Sequence, residues 1–270
     1  MHVIERGSGT PVVLLHGFGV DHRILLPLDP VFEGWTRLYV DLPGSGGTPI
    51  GDVASAEDVA RVVTDEIRSR VGDRPFALVG SSFGAMIARR IAHDLRPQVL
   101  GLATLAGVFV AEHDRRAVPP RTVLVADPTV DGGEDYAEQA VVQSPANLRV
   151  FVEHVLPGLR SADEVGLARI AERYGFDQEP EDAAPEPFTR PCLVVTGRQD
   201  DVVGYADAWA RVEHYPRATF ATLDTAGHNV HLDRPGLVAA LLTDWLERVV
   251  ADARPAGRTE VSRAAPSSAT

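Results

Sequence analysis

The sequence predicts an α/β fold, a doubly wound and mostly parallel sheet interrupted by an inserted helical cap. Three observations carry that expectation. Short apolar runs recur without polar alternation, as strands buried on both faces require. Amphipathic stretches with helical spacing separate them, so the connections are right-handed crossovers. One interval, from about Gly107 to Pro187, is roughly eighty residues long, where a crossover helix with its loops needs about 20–30.

The strands are read in order at Val12–Leu15, Arg37–Val40, Phe76–Val79, Val99–Leu105, Cys192–Thr196 and Ala218–Leu223. Ala56 to Val71 places Val59, Val62, Val63, Ile67 and Val71 on one helical face, and Ala85 to Leu95 directly follows the third strand. Pro235, suited to a first helical position, opens a last helix to about Val250. Within the long interval Asp135–Val142, Ala146–Leu156 and Ser161–Tyr174 are helical in pattern, and Gln178 to Pro187 is an acidic, Pro/Ala-rich exit suited to a hinge. The expected organisation is therefore a core at 1–107 and 188–250, a cap with linker at 108–187, and an Ala/Ser/Pro/Arg-rich disordered tail at 251–270.

Composition narrows the chemistry. The chain has 270 residues and a net charge of −12, which argues against nucleic acid or an anionic membrane as main partner. It contains no Lys, so Schiff-base, pyridoxal and Walker-lysine chemistry are excluded. Cys192 is the one cysteine; internal disulfides and cysteine-rich metal sites are excluded with it. No apolar run approaches the ~20 residues of a membrane span, and no apolar signal core stands at the N-terminus. The expectation is a cytoplasmic protein.

The chemical signal is Gly80-Ser81-Ser82-Phe83-Gly84, a G-x-S-x-G pentapeptide between a strand and a helix. A serine on such a turn projects from the C-terminal edge of the sheet, with a helix N-terminus behind it to favour developing negative charge. The spacing of the glycines selects Ser82 over Ser81. Among nine histidines, His228 in Ala226-Gly227-His228 lies between the last strand and the last helix, at the same sheet edge; His231 is its rival and is expected to be packed or solvated. An acid must fix the tautomer of the base, and Asp200-Asp201 follows the strand Cys192–Thr196. Asp200 is favoured, with Asp201 as the alternative. His16-Gly17-Phe18-Gly19 ends the first strong strand, so the amides of Phe18 and Phe83 are the candidate oxyanion donors, with the two rings as apolar walls and the His16 ring as a loop support.

These pieces, with Asp41-Leu42-Pro43-Gly44-Ser45-Gly46 and Asp233-Arg234-Pro235, resemble the α/β-hydrolase superfamily from about Met1 to Val250. The resemblance implies a Ser82–Asp200–His228 triad, a purely structural Asp41–Gly46 turn, no metal, no cofactor, and a helical cap over the pocket. Members with an aspartate nucleophile, the haloalkane dehalogenases and epoxide hydrolases, are excluded by Ser82. The Asn-Ser-Met-Gly form of many C–C bond hydrolases is replaced by Ser81-Ser82-Phe83-Gly84. The leading expectation is a serine hydrolase of a small carboxylic ester, lactone or related acyl compound, with that substrate and water as partners and homodimerisation left open. A C–C hydrolase, acyltransferase or cyclase on the same triad is the first alternative, and a ligand-binding protein that retains the triad is the second. Substrate choice is expected to come from the cap, with His113, Arg115, Arg116, His154 and Tyr174 as polar candidates and Val150, Phe151, Val155, Leu156 and Leu159 as apolar ones.

Overall fold

Apolar residues without polar alternation build the middle of the sheet. In the computed structural model, which describes residues 1–253, β1 (Val3–Arg6), β2 (Pro11–Leu15) and β3 (Thr36–Val40) come first. Then α1 (Ala56–Val71), β4 (Phe76–Ser81), α2 (Phe83–Asp94) and β5 (Val99–Leu105) follow. All of β2 and β4 is buried, and each fully buried Val or Leu contributes about 1.5–3 kcal/mol. The sheet has seven strands, the expected six and one more. The extra one is β1, half exposed and antiparallel to β3, with Val3 opposite Val40 and Arg6 opposite Arg37. Its Val3-Ile4-Glu5-Arg6 segment is too short and too charged to read as a buried strand.

The other pairs are parallel, in the order β1-β3-β2-β4-β5-β8-β9, where β8 is Cys192–Gly197 and β9 is Ala218–Leu223. Parallel pairing puts the ends of β2, β4, β5, β8 and β9 at one edge. Helix α1 packs on α2, and α2 on β2, β4 and β5. Ser55 caps α1 by accepting from the Asp58 amide, and Gly72 closes it at φ 61°. A 3₁₀ segment over His22–Phe32, carrying Pro27 and Pro30, lies between β2 and β3; its prolines hide it from a helical pattern search.

Between β5 and β8 lie β6 (Val125–Ala126), α3 (Gly133–Gln139), β7 (Val142–Gln143), α4 (Pro145–His154), α5 (Leu156–Ser161), α6 (Glu164–Ala171) and α7 (Pro180–Ala183). Three expectations are corrected here. Helix α3 stops at Gln139, and Val142 pairs with Val125 in a two-stranded parallel ribbon, because two β-branched residues and a pre-proline Ser144 disfavour further helix. The Ala146–Leu156 helix ends at His154, and Pro157 opens the next one. The third begins only at Glu164, capped by Asp163, which accepts from the Gly166 amide.

The acidic exit also differs from a free hinge. Glu181 is buried, and its carboxylate takes a bidentate contact from fully buried Arg89 of α2, while Glu179 accepts from the same guanidinium. After β8 come α8 (Ala206–Trp209), β9, α9 (Val230–Asp233) and α10 (Pro235–Ala253). Helix α10 packs on β5, β8 and the 3₁₀ segment. It takes in residues 251–253, which composition assigns to a disordered tail; the rest of that stretch lies outside the described residues. Among the described residues no helix is long and apolar enough to cross a membrane.

Candidate active site

The turn from β4 into α2 is forced by its neighbours. A Cβ on Gly80 would lie 2.5 Å from Ala85 Cα, and one on Gly84 would lie 2.3 Å from the carbonyl oxygens of Leu15 and His16. Only glycine lets the turn sit this close to its own helix and to β2. Ser82 between them has φ 52° and ψ −119°, a conformation that costs a side-chain-bearing residue about 1–3 kcal/mol. Hydrogen bonds from Ser82 N to Leu105 O (3.0 Å) and from Val108 N to Ser82 O (3.2 Å) hold it there.

His228 lies in the loop between β9 and α9, and its Nε2 is 2.9 Å from Ser82 Oγ. Its Nδ1 is 3.2 and 3.1 Å from the two carboxylate oxygens of Asp200. Asp200 is fully buried after β8, and its Oδ1 also accepts from the amides of Val202 (2.9 Å) and Val203 (3.1 Å). An ionised carboxylate only accepts, so Nδ1 carries the proton and Nε2 accepts from the serine hydroxyl. Asp201 instead approaches Arg121 at 3.8 Å. The structure therefore joins Ser82, His228 and Asp200, and places Asp201 outside the hydrogen-bonded chain.

The rival histidine is packed away. His231 is fully buried, and its Nε2 donates to Ile24 O at 2.9 Å. Burial lowers its pKa to about 4. His16 is likewise buried, with its pKa lowered by desolvation. As a neutral ring it donates from Nδ1 to Gly17 O (2.7 Å) and accepts the Leu42 amide at Nε2 (2.9 Å). It is a loop support. A Cβ added to Gly17 would lie 3.2 Å from Ser82 Cβ, so the loop carrying Phe18 abuts the serine. Phe83 is the first residue of α2, and its amide has no carbonyl partner within the helix.

The rings partly correct the expectation. Phe18 lines the cavity, whereas Phe83 is only 1% exposed and packs behind Phe18 and Tyr174, with centroids 5.3 and 4.9 Å away. Its side chain points into the packing under the site because the helix it begins runs back along the sheet.

Ser82 and His228 open into a cavity of about 1130 Å³. Of the polar candidates, His113, Arg115, Arg116 and Tyr174 line it and His154 does not; His154 lies on α4, 3.7 Å from Glu153. Of the apolar ones only Leu159 lines it, while Phe151 and Val155 are buried in the packing. Arg116 donates to the carbonyls of Val110, Ala111 and Val202 and lies 5.8 Å from the Tyr174 ring centroid. No carboxylate lies within ion-pair distance of it among the described residues, whereas Arg115 faces Glu112 and Arg211 faces Asp182. Burial pushes the Tyr174 hydroxyl up to about 12. Gln139, Arg173, Arg211 and Asn229 also line the cavity; no motif marks them.

The Asp41–Gly46 turn is a knot of another kind. Asp41 accepts from the His22 amide (2.9 Å), the Gly47 amide (2.9 Å), His22 Nδ1 (2.8 Å) and His2 Nδ1 (2.7 Å). His2, His22 and Asp41 are the one trio of metal-ligand type among the described residues, but both carboxylate oxygens already have their donors. Gly46, with φ 52°, leaves no room for a Cβ beside the same carboxylate, and Ser45 only bridges to Thr48.

A model of the alpha/beta hydrolase family matches residues 12–241. The chain belongs to that family. Among curated relatives it is 30% identical over 244 residues to the 2-succinyl-6-hydroxy-2,4-cyclohexadiene-1-carboxylate synthase of Salmonella newport (strain SL254), covering 86% of this chain and 93% of the relative. Among solved structures, an alpha/beta superfamily hydrolase from Oenococcus oeni PSU-1 superposes with a TM-score of 0.86 at 25% identity, over 92% of this chain and 96% of that one. A thermophilic esterase from Thermogutta terrifontis superposes with a TM-score of 0.67 at 20% identity, over 92% and 93%. The sheet order and the mostly parallel pairing are those of the α/β-hydrolase fold.

Proposed function

We propose that this α/β hydrolase is a serine-nucleophile enzyme that cleaves the acyl bond of a small carboxylic ester, lactone or related compound. One observation carries the reading: the unbroken chain from Ser82 Oγ to His228 Nε2 at 2.9 Å and from His228 Nδ1 to Asp200 at 3.1 Å. In this reading His228 removes the serine proton as Oγ attacks the carbonyl, and Asp200 holds the imidazolium that forms. The amides of Phe18 and Phe83 receive the oxyanion. The leaving group departs with the proton from His228, and water activated by the same ring clears the acyl-enzyme. The cavity, at about 1130 Å³, fits a small-molecule substrate.

A second reading has its own support. The Salmonella relatives are named as a synthase of a succinyl-bearing cyclohexadiene carboxylate, and Arg116 brings to the cavity wall a cation that has no carboxylate partner among the described residues. On this reading the same base works on a carbon–carbon bond or a cyclisation of a carboxylated substrate, and Arg116 takes the carboxylate.

Fluorophosphonate labelling with peptide mapping, followed by a panel of esters, thioesters, lactones and vinylogous diketones with product analysis, tests both. Labelling at Ser82 and turnover of an acyl compound through a trapped acyl-Ser82 support the first reading. Turnover confined to carboxylated carbon–carbon substrates, without an acyl adduct, overturns it in favour of the second. Labelling of Ser45 or Ser81 with Ser82 untouched refutes the nucleophile.

A further inference from the structure

The sequence singles out Asp233-Arg234-Pro235, yet the chemistry above makes no use of Asp233. The residue ends α9, one turn beyond His228. Its Oδ2 accepts the amide of Gly227, the residue before the base, at 2.8 Å. Its Oδ1 accepts from the side chain of Asn147, on α4 of the insertion, at 3.0 Å. One carboxylate thus joins the loop of the base to the cap.

Two further contacts fall on the same loop. Asn229 donates to Gln139 Oε1 at 3.2 Å. A Cβ on Gly227 would lie 2.6 Å from Val141 Cγ2, so the buried Val141 side chain presses against the loop backbone. Gln139, Val141 and Asn147 all belong to the insertion between β5 and β8. The loop carrying His228 is therefore held on one side by the core and on the other by the cap.

We infer that Asp233 and Asn147 form a positioning pair that braces the His228 loop against the cap, so that the cap holds the base in place as well as covering the pocket. The physical reason is angular. His228 meets Asp200 at one nitrogen and Ser82 at the other, and both contacts must hold at once. Asp200 fixes the ring only about its own hydrogen bond. The backbone at Gly227 sets where the ring starts from, and a displacement of about 1 Å at a reacting group costs on the order of 100-fold in rate. The carboxyl of Asp233 is partly buried, and that desolvation raises its pKa to about 6, while the Gly227 amide, Asn147 and Arg121 favour the charged form and Asp200 opposes it. Tyr136 of α3 also faces it.

The inference rests on Ser82 and His228 being the working pair. Its test uses a reaction that needs that pair and no particular substrate, the second-order rate of Ser82 labelling by a small fluorophosphonate. Thermal melts run in parallel, and kcat and KM are measured on any substrate found. Asp233→Ala is expected to lower the labelling rate and kcat by roughly 10- to 100-fold, with KM changed less than about threefold. Asp233→Asn keeps an acceptor for the Gly227 amide, and Asn147 can turn its own oxygen toward it; it is expected to restore the rate to within about fivefold of the unmodified protein. Asn147→Ala is expected to lower labelling by roughly 3- to 10-fold, and Asp233→Ala/Asn147→Ala to fall no further than Asp233→Ala.

Additive losses in the double variant, or no rescue by the conservative variant Asp233→Asn, overturn the brace. So does an unchanged labelling rate in Asp233→Ala. Should Asp233→Ala fail to fold, Asn147→Ala and Asn147→Leu decide alone, and an unchanged rate in both overturns the inference. An unmodified protein that is not labelled at Ser82 refutes the nucleophile instead, so the two failures are distinct.

Discussion

Arg89→Met is expected to unfold the protein more readily by about 3–5 kcal/mol, the cost of leaving one member of a buried ion pair alone. Arg89 and Glu181 are 0% and 4% exposed. The guanidinium gives Nε to Glu181 Oε1 at 2.8 Å, a terminal nitrogen to Glu179 at 2.9 Å and another to Val108 O at 2.7 Å, and it lies 4.2 Å from the Phe109 ring centroid. Methionine fills much of the space and supplies none of these donors. Among the described residues Glu181 would keep only the Tyr215 hydroxyl as a side-chain partner. In a chain of this size the loss corresponds to roughly 6–20 °C in Tm. Burial opposes ionisation of Glu181, but Arg89 and Tyr215 outweigh it and hold its pKa down at about 2. Its share of stability is therefore present above its unfolded pKa near 4.5 and lost as the pH falls toward 2. The decisive comparison is Arg89→Met/Glu181→Met, which removes the two buried charges; it is expected to recover part of the loss, leaving about 1–3 kcal/mol for the groups that lose a partner, namely the Val108 carbonyl, the Tyr215 hydroxyl and the part-exposed Glu179. Urea melts at pH 7 on both variants provide the measurement. A single variant within about 1 kcal/mol of the unmodified protein, or a double variant no more stable than the single, would refute the reasoning.

Three shorter expectations accompany it. Gly84→Ala should cost about 3 kcal/mol or more, because the new Cβ meets two backbone carbonyls at 2.3 Å; Gly34→Ala, at φ 85° with open space around it, should cost only about 1 kcal/mol, and urea midpoints separate the two. His231, whose pKa falls from 6.5 to about 4 on folding, contributes stability that is present above pH 6.5 and lost as the pH drops through 4. The unmodified protein should lose about 2 kcal/mol more than His231→Gln between pH 7 and pH 5 in paired urea melts, and equal losses would contradict it. Asp200→Asn should lower kcat by roughly 10³–10⁴-fold through the wrong tautomer of His228, while Asp201→Asn stays within about threefold; steady-state rates in the reverse order would move the acid.

The parts legible in the sequence are those where backbone and local chemistry agree. Ser82 and Asp200 each follow a buried strand and His228 follows the half-buried edge strand β9, and parallel pairing brings such ends to one edge whatever the intervening chain does. Gly80 and Gly84 are readable for the same reason: their contacts are with backbone close in sequence or in the adjacent strand. Strand β1 is not readable, because an edge strand of four residues buries too little to leave a pattern. The position of the Phe83 amide suggests a ring at the cavity wall, yet amide and ring point different ways. Residues of the insertion between β5 and β8 fare worse still. Phe151 and Leu159 share an apolar pattern, yet one is packed and the other faces the cavity, a distinction made by tertiary contact alone.

The same limit hides the exit segment. Gln178 to Pro187 has the composition of a solvated linker: acids, prolines and alanines. Composition treats each acid as if it faced water. Glu181 instead meets an arginine ninety-two positions earlier, on the helix that begins at the serine turn. A charge at that separation leaves no local trace, and its partner reads as a surface residue of an amphipathic helix until the two are brought together. The consequence is mechanical. Arg89 donates to Val108 O, and the Val108 amide donates to Ser82 O, so the exit of the insertion between β5 and β8 and the backbone of the serine turn share one hydrogen-bonded path. A segment tied in this way cannot swing independently of the turn it is tied to. That tie sets the Pro-rich exit apart from the free hinge that its composition suggests.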